Sequence, residues 1–287
     1  MGLGNEINDA FWDIAMMHNL LPNFRQNDEI LTEDLEECHV RSYRIVDPPV
    51  EFRLRPLIPS PGVWSPVGAD VWYASAILAL VPFHFSRYDT VLEIGSGAVG
   101  LAGLSLAARL GDESKTIILS DIGDFGILTH LQKNIDRNAH VCSRAKINVQ
   151  KIDWSDHSVI NDLPKIDLIV GSELIYTPET ALACSSFISK LFIRNPSCVT
   201  MIVQVIDRPG WPDFLSSFSD KVIEIINPLP SKVHDLARDM LGKAIHGTSD
   251  MSKYGLCFIG SKDSCMSTVI NKSFSSETSK SFFKCFC

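Results

Sequence analysis

The sequence VLEIGSGAVG at residues 91–100 decides the fold, because an apolar run ends in three glycines and the apolar stretch LAGLSLAARL follows at once. This order predicts a buried strand, a tight turn and a helix. Gly95, Gly97 and Gly100 have no Cβ, so the backbone can turn sharply and approach a ligand at the positive end of the helix. The stretch therefore predicts a nucleotide site at the carboxyl end of a strand.

From Gly68 onward, short apolar runs alternate with longer helical patterns, which is typical of βαβ units. The predicted fold class is α/β, a doubly wound, mostly parallel sheet of seven strands. The last two strands are expected to form a hairpin at the sheet edge. Predicted strands cover 90–94, 116–120, 145–152, 166–170, 199–205, 221–226 and 255–260; predicted helices cover 69–81, 99–110, 124–138, 178–194 and 211–218.

Two flanking segments have other patterns. Residues 1–62 are expected to form an N-terminal extension, with a helix over 6–20 and a β-hairpin within 39–58 that serves as a lid. Residues 262–287 are rich in Ser, Lys and Thr and are expected to be a flexible tail. This leaves 63–261 as the main domain.

Charge and cysteine content limit the partners. The formal net charge is -8 over 287 residues, which argues against a nucleic-acid-binding surface and favours a basic polypeptide. No apolar run reaches the length of a membrane span and no signal peptide is recognisable. Eight cysteines without C-x-x-C pairs suggest reduced thiols and no metal site. We expect a monomer in the cytosol or nucleus, without a membrane partner.

The glycine loop alone fits a dinucleotide as well as S-adenosylmethionine, because Asp121 lies 21 residues after Gly100, near the spacing of a ribose-binding carboxylate. Glu93, two residues before Gly95, is expected to direct a carboxylate at the floor of the pocket. That charge would repel a pyrophosphate and attract the ammonium and sulfonium groups of S-adenosylmethionine. The expected cofactor is therefore S-adenosylmethionine, with its amino-acid portion held by the backbone of the glycine loop.

Three further residues are candidates for this site. Asp121 closes the second strand of the main domain and can accept both ribose hydroxyls, whereas Asp124 is better placed as a helix N-cap. Asp153 and Trp154 follow the third strand and could hold the edge and face of the adenine. A turn aspartate and a partly buried tryptophan are an equally good interpretation of that pair.

The acceptor side follows the fourth strand, in GSELIYTPET at 171–180. Thr177 is a good N-cap with Pro178 at the first helical position, so the helix is predicted to begin after Tyr176. Ser172, Glu173 and Tyr176 are left on the loop at the carboxyl edge of the sheet, where ligands bind in open α/β folds. A carboxylate and a phenol three residues apart could hold an amine there.

These stretches together resemble the seven-strand class I methyltransferases with a Rossmann-like fold. GADVWYASAILA, the glycine loop, LSD, DWSD and ELIY occur in the order found in the family 16 group of protein-lysine methyltransferases, over residues 63–206. The group usually carries D-x-x-Y after strand four, and Glu173 replaces that Asp. The resemblance assigns Trp72, Glu93, Gly95, Asp121, Trp154 and Ser172 to the cofactor, and Glu173 and Tyr176 to the acceptor lysine.

The resemblance implies a protein-lysine N-methyltransferase that acts on a cytosolic protein, such as a ribosomal protein or translation factor. Recognition of that protein is expected in residues 1–62 and in loops that include RPGWP at 208–212, where Trp211 is either exposed or part of the core. Two alternatives stay open. One is a binding or assembly protein with a methyltransferase fold and no catalysis; the other is an NAD-linked oxidoreductase.

Overall fold

The computed structural model describes residues 40–45, 50–58, 67–81, 88–110, 114–142, 144–242, 247 and 250–261. Contacts divide the chain into Met1–Cys38 and His39–Cys287, and all described residues belong to the second unit. The expected helix over 6–20 and the expected tail from 262 lie outside the described residues. The boundaries of the extension and tail therefore stay predictions.

The described elements follow the predicted order closely. The strands are β1 (Arg41–Ile45), β2 (Val50–Leu54), β3 (Thr90–Ile94), β4 (Thr116–Asp121), β5 (Lys146–Lys151), β6 (Leu168–Ser172), β7 (Val199–Val205), β8 (Val222–Ile226) and β9 (Tyr254–Gly260). The helices are α1 (Tyr73–Leu80), α2 (Leu101–Leu110), α3 (Ile127–Arg137), α4 (Ala139–Cys142), α5 (Pro178–Arg194), α6 (Trp211–Ser216) and α7 (Ser231–Leu241). None of these helices is both long and apolar enough to cross a bilayer.

The main sheet has seven strands in the order β5-β4-β3-β6-β7-β9-β8, which confirms the predicted fold class. Strands β3 to β7 run parallel, whereas β9 is antiparallel to both β7 and β8. The last two strands pair with each other as predicted. The final strand lies inside the sheet beside β7, so that β8 alone forms this edge.

Helices cover both faces of the sheet, because side chains of a parallel strand alternate between two buried layers. On β3, Val91 belongs to the layer with α1, α2, α3 and α7, whereas Leu92 belongs to the layer with α5 and α6. This is the doubly wound arrangement. It brings the carboxyl ends of β3, β4 and β6 to one edge of the sheet.

Helix α7 was not predicted from the sequence. Val233, Leu236, Ala237, Met240 and Leu241 repeat at helical spacing, and all are buried or partly buried in the layer that contains α1. The signal was present, but the preceding NPLP at 227–230 has the composition of a loop.

The N-terminal hairpin of β1 and β2 is present as predicted, and its expected role as a lid stays a prediction. The side-chain amide of Asn138 accepts from the N–H of Arg53 at 2.8 Å and donates to its carbonyl at 2.9 Å. Asn134 does the same with Arg55, at 2.9 Å in each direction. These amides take the place of a neighbouring strand at the edge of β2, so the hairpin packs beside α3.

Candidate active site

A cavity of about 550 Å³ opens at the carboxyl edge of the sheet, where ligands bind in doubly wound folds. The structure brings most of the predicted site residues into its wall. The residues in this group are Trp72, Gly95, Gly97, Asp121, Asp153, Trp154, Ser172, Glu173 and Tyr176. Glu93 is the predicted site residue that does not line the cavity.

The glycine loop between β3 and α2 forms the floor of the cavity. Gly95 and Gly97 have φ of 67° and 65°, a left-handed conformation that glycine adopts without strain. A Cβ on Gly97 would lie 2.6 Å from the carbonyl oxygen of Gly68, and a Cβ on Gly95 would lie 2.8 Å from Leu174. The loop is therefore pressed between two neighbouring segments, and both positions require glycine.

Several backbone N–H groups of the loop are already hydrogen-bonded to neighbouring segments of the protein. Ser96 donates its N–H to the carbonyl of Ser120 at 2.9 Å, Gly97 to the Asp121 carboxylate at 3.0 Å, and Ala98 to the carbonyl of Gly68 at 2.7 Å. A phosphate-binding loop needs such N–H groups free at the helix start. This loop is therefore poorly suited to a pyrophosphate, and its engaged amides offer less to the amino-acid portion of S-adenosylmethionine than we expected.

Asp121 lies at the end of β4, with its carboxylate between the glycine loop and the following turn. Oδ2 accepts from Gly97 N at 3.0 Å, and Oδ1 accepts from Ile122 N at 2.9 Å. Burial raises the pKa of this carboxyl above its usual value, while backbone hydrogen bonds from Gly97, Ile122 and Gly123 oppose the shift. A carboxylate has about four lone-pair sites, so Asp121 keeps capacity to accept a hydrogen bond from a group in the cavity.

The part of the cavity wall formed by Trp154 is flat and apolar. Trp154 is half-buried, and a Cβ added to Gly95 would lie 3.6 Å from its ring. Ile122 and Ile152 also line the cavity. The Asp153 carboxylate accepts from the N–H and hydroxyl of Ser155 at 2.8 and 2.7 Å, so Asp153 shapes this turn as well as lining the cavity.

The expected placement of Glu93 is wrong. Its side chain is buried, and Oε2 accepts from Gly103 N of α2 at 3.0 Å, outside the cavity wall. The cause is the pleat, since residues two apart on β3 face the same side and Glu93 therefore follows Val91 into the layer of α2. Burial raises the pKa of Glu93 to about 7.

Glu173 lies just after β6 and lines the cavity with a buried carboxylate. Its φ of 49° is the only left-handed value recorded for a non-glycine residue in the described ranges. Oε1 accepts from Val205 N at 2.7 Å, and Oε2 accepts from Nη2 of Arg208 at 3.0 Å. Burial raises the pKa of this carboxyl, and the Arg208 charge works against that rise.

Tyr176 ends the same loop, and α5 begins where predicted. Thr177 caps the helix, and its partner in the capping box is Thr180, whose hydroxyl accepts from Thr177 N at 3.0 Å. Burial raises the pKa of the Tyr176 phenol well above its usual value, so the phenol is neutral at physiological pH. Glu173 and Tyr176 therefore lie on one short loop and line one cavity.

Several lining residues were not predicted from the sequence as site residues, among them Asp70, Ser75, Ser96 and Thr180. Asp70 precedes α1 and accepts from Arg41 of the hairpin at 2.9 Å. The sequence around Asp70 does not indicate a site residue, because Asp70 joins the cavity through the tertiary contact between Gly68 and Gly97.

The structure decides the roles of two residues for which the sequence suggested an interpretation. Asp124 begins a short 3-10 turn and lines the cavity, while α3 begins after Gly126 without a side-chain cap, so the N-cap interpretation of Asp124 is wrong. Trp211 is buried and stacks on Phe214 with ring centroids 5.3 Å apart. It is a core residue and not an exposed recognition residue.

The charge of the cavity wall has one sign. Its described lining contains six acidic residues, Asp70, Asp121, Asp124, Asp153, Glu173 and Glu179, and no Lys, Arg or His. An anionic pyrophosphate is disfavoured beside such a wall, whereas a sulfonium and an amine are attracted. The carboxylate at the end of β4, the indole beside Gly95 and this charge fit S-adenosylmethionine.

Comparison with known proteins also relates this chain to methyltransferases. The model of the lysine methyltransferase family matches residues 62–216, more than half of the chain. A segment of 116 residues is 31% identical to histone-arginine methyltransferase METTL23 of Xenopus laevis, and the match covers 39% of this chain and 46% of that relative. The chain thus aligns with less than half of the length of that protein.

Solved methyltransferases are among the similar structures. The O-methyltransferase TomG from Streptomyces achromogenes in complex with SAM has a TM-score of 0.43 at 14% identity, with 68% of this chain and 81% of that chain covered. An O-methyltransferase from Bacillus cereus in complex with SAH has a TM-score of 0.44 at 13% identity, with 68% and 82% covered.

The fold, the acidic cavity and the family match define the class as the S-adenosylmethionine-dependent methyltransferases. Within that class, the chain belongs to the lysine methyltransferase family.

Proposed function

We propose that this protein transfers the methyl group of S-adenosylmethionine to a cationic side chain of a basic protein, with lysine as the first candidate acceptor. The observation that supports this proposal most strongly is the charge of the cavity wall, whose described lining has six acidic residues and no basic one. The expected compartment is the cytosol or nucleus. The free, buried thiols of Cys142, Cys184, Cys198 and Cys257 agree with a reducing environment.

The cofactor would lie across the glycine loop. Asp121 would accept the ribose hydroxyls through its remaining lone pairs, and Trp154 with Ile122 and Ile152 would enclose the adenine. When bound, S-adenosylmethionine supplies a methyl group on a positively charged sulfur. Ser172 and Trp72 also line the cavity and are available to contact the cofactor.

The acceptor would enter beside Glu173 and Tyr176. The neutral phenol of Tyr176 can accept a hydrogen bond from an N–H or donate one, but it is not a base at physiological pH. The Glu173 carboxylate is held from two directions by Val205 and Arg208, so it offers a fixed position for a cation. These two residues orient the acceptor nitrogen towards the cofactor side of the cavity.

The acceptor must also lose a proton. A free lysine has a pKa of about 10.4, so its neutral form costs roughly 4.6 kcal/mol at pH 7. A carboxylate such as Glu173 favours the charged amine during binding, while enclosure in the cavity and a positive neighbour favour the neutral amine. Glu173 is therefore an orienting group in this proposal rather than the base.

Arginine is the second candidate acceptor, and one observation favours it. The buried carboxylate of Glu173 already binds a guanidinium, that of Arg208, with an N to O distance of 3.0 Å. The relative METTL23 is named as a histone-arginine methyltransferase. A glutamate in place of the usual aspartate would leave the same loop with a longer reach for such a group.

The proposal is tested by incubating the purified chain with methyl-labelled S-adenosylmethionine and fractionated basic proteins, including ribosomal proteins and histones. Acid hydrolysis of labelled bands separates methyl-lysine from methyl-arginine. Label in methyl-lysine that falls at least about tenfold with Glu173→Gln supports the first candidate, and label in methyl-arginine supports the second. Binding of the cofactor without transfer to any protein would contradict the proposal and favour a non-catalytic binding protein.

A further inference from the structure

Arg208 contacts the acceptor carboxylate without lining the cavity. It lies in the loop between β7 and α6, and its side chain is 32% exposed, whereas that of Glu173 is 3% exposed. The loop is fixed close to the acceptor side, because a Cβ on Gly210 would lie 2.5 Å from the carbonyl oxygen of Thr177. Arg208 therefore approaches Glu173 from behind the wall.

The Glu173 carboxylate has one donor on each oxygen, Val205 N on Oε1 and Arg208 Nη2 on Oε2. A carboxylate has about four lone-pair sites, so two remain available. Because both protein donors come from β7 and its following loop, the free lone pairs are the ones left for a group in the cavity. The geometry makes Glu173 a two-sided carboxylate, with Arg208 on one side and the acceptor on the other.

Few other charges act on Glu173. Asp207 lies on the same loop as Arg208 and pairs with Lys253 at 2.6 Å, and its charge opposes ionisation of Glu173. Tyr176 is the remaining titratable neighbour, and its phenol is neutral. Arg208 is thus the cation that compensates this buried carboxylate within the described structure, and a buried charge without such a partner tends to protonate.

We propose that Arg208 is a positioning residue for the acceptor: it holds Glu173 charged and fixed, with its free lone pairs directed into the cavity, and so determines the acceptor KM. This inference rests on the proposed function, since it concerns the same acceptor site. The contact uses one nitrogen, and Arg208 Nε has no partner among the described residues. A lysine at 208 could therefore supply the same single contact, whereas a methionine fills similar space without charge.

The test compares wild type, Arg208→Lys and Arg208→Met on the labelled acceptor between pH 6 and pH 9, in wild-type and Glu173→Gln backgrounds. We expect Arg208→Met to raise the acceptor KM at pH 7 about tenfold. In the pH profile of kcat/KM, the acidic limb should shift to higher pH by about one unit. Arg208→Lys should restore most of the loss. Affinity for S-adenosylhomocysteine should change less than about twofold, which reports an intact fold.

The background variant separates positioning from a general structural role. If Arg208 acts through Glu173, then Arg208→Met should have little further effect on KM once Glu173 is Gln. An equal effect in both backgrounds would overturn the inference. An unchanged KM and pH limb in Arg208→Met would overturn it as well, while transfer by the wild type would still support the proposed function.

A second test measures thermal stability and does not require methyl transfer. If the wild type transfers no label, that result contradicts the proposed function, and the stability test still decides the role of Arg208. Without Arg208, the folded-state pKa of Glu173 should rise further above its unfolded value, so stability should be lost as pH rises through that interval. Arg208→Met should therefore lower Tm by several degrees more at pH 8 than at pH 5, and Glu173→Gln should abolish this difference. An equal Tm loss at both pH values would show that Arg208 does not maintain the charge.

Discussion

The carboxylate of Glu93 on β3 accepts a hydrogen bond of 3.0 Å from the backbone N–H of Gly103 on α2. The contact requires glycine at position 103, because a Cβ there would overlap both the Glu93 carboxylate and the Leu119 side chain. The pair joins the first strand of the site to the helix that follows the glycine loop. The pair therefore supports the glycine loop from behind, and neither residue is part of the cavity lining.

Gly103→Ala should destabilise the protein by about 2 kcal/mol or more, although the same change in an exposed helix gains about 1 kcal/mol. The inserted methyl group has no space between strand and helix. Urea unfolding measures the difference, and Ala108→Gly in the same helix calibrates the propensity effect. A gain in stability for Gly103→Ala would show that α2 does not lie this close to Glu93.

Glu93→Gln should make the protein more stable at pH 8 and leave it nearly unchanged at pH 4. The pKa of Glu93 is raised by burial to about 7, above its unfolded value, so the folded state binds a proton that the unfolded state loses. Wild-type stability therefore falls between pH 4.5 and pH 7, by an amount on the order of 3 kcal/mol. Glutamine can still accept the Gly103 hydrogen bond and does not titrate.

Urea unfolding across this pH range tests the Glu93 prediction, and the same variant tests its place in the site. Since Glu93 does not line the cavity, affinity for S-adenosylhomocysteine should stay within about twofold of wild type at pH 7. A tenfold loss of affinity with unchanged stability would restore a direct role of Glu93 in cofactor binding.

Asp121→Ala should weaken binding of S-adenosylhomocysteine by about 10- to 100-fold, because a hydrogen bond to a charged group contributes about 1.5–3 kcal/mol. The substitution also removes the acceptor of Gly97 N, so the glycine loop loses one hydrogen bond to β4. Asp124→Asn is the matched control, since Asp124 lines the same cavity from an exposed position. Equal losses in the two variants, measured by calorimetry, would argue against ribose recognition by Asp121.

Glu173→Gln and Tyr176→Phe should each lower methyl transfer by at least about tenfold while cofactor affinity is retained. Both side chains line the cavity on the loop that follows β6. Steady-state transfer and calorimetry with S-adenosylhomocysteine give the two readouts. Loss of cofactor binding in both variants would remove the division between cofactor and acceptor residues.

The sequence was sufficient for the parts of the fold that depend on local patterns. The glycine loop, the alternation of strands and helices and the Thr177–Pro178 helix start each follow from local backbone and capping preferences. Asp121 and Trp154 were predicted for the cavity because carboxyl ends of parallel strands meet at one edge.

The errors concern side-chain direction and long-range contacts. The pleat directs Glu93 into the layer of Val91, because residues two apart on a strand face the same side of the sheet. The Glu173–Arg208 ion pair joins residues 35 positions apart, and no spacing rule indicates it. Asp70 likewise reaches the cavity through tertiary packing alone.

The most direct test of an acidic methyltransferase cavity is calorimetric titration of the purified chain with S-adenosylhomocysteine, alongside NAD and with Asp121→Ala as a control. The predicted result is saturable binding of S-adenosylhomocysteine that Asp121→Ala weakens at least about tenfold, and no heat with NAD. A folded protein that binds NAD, or that shows no affinity for S-adenosylhomocysteine, would contradict it.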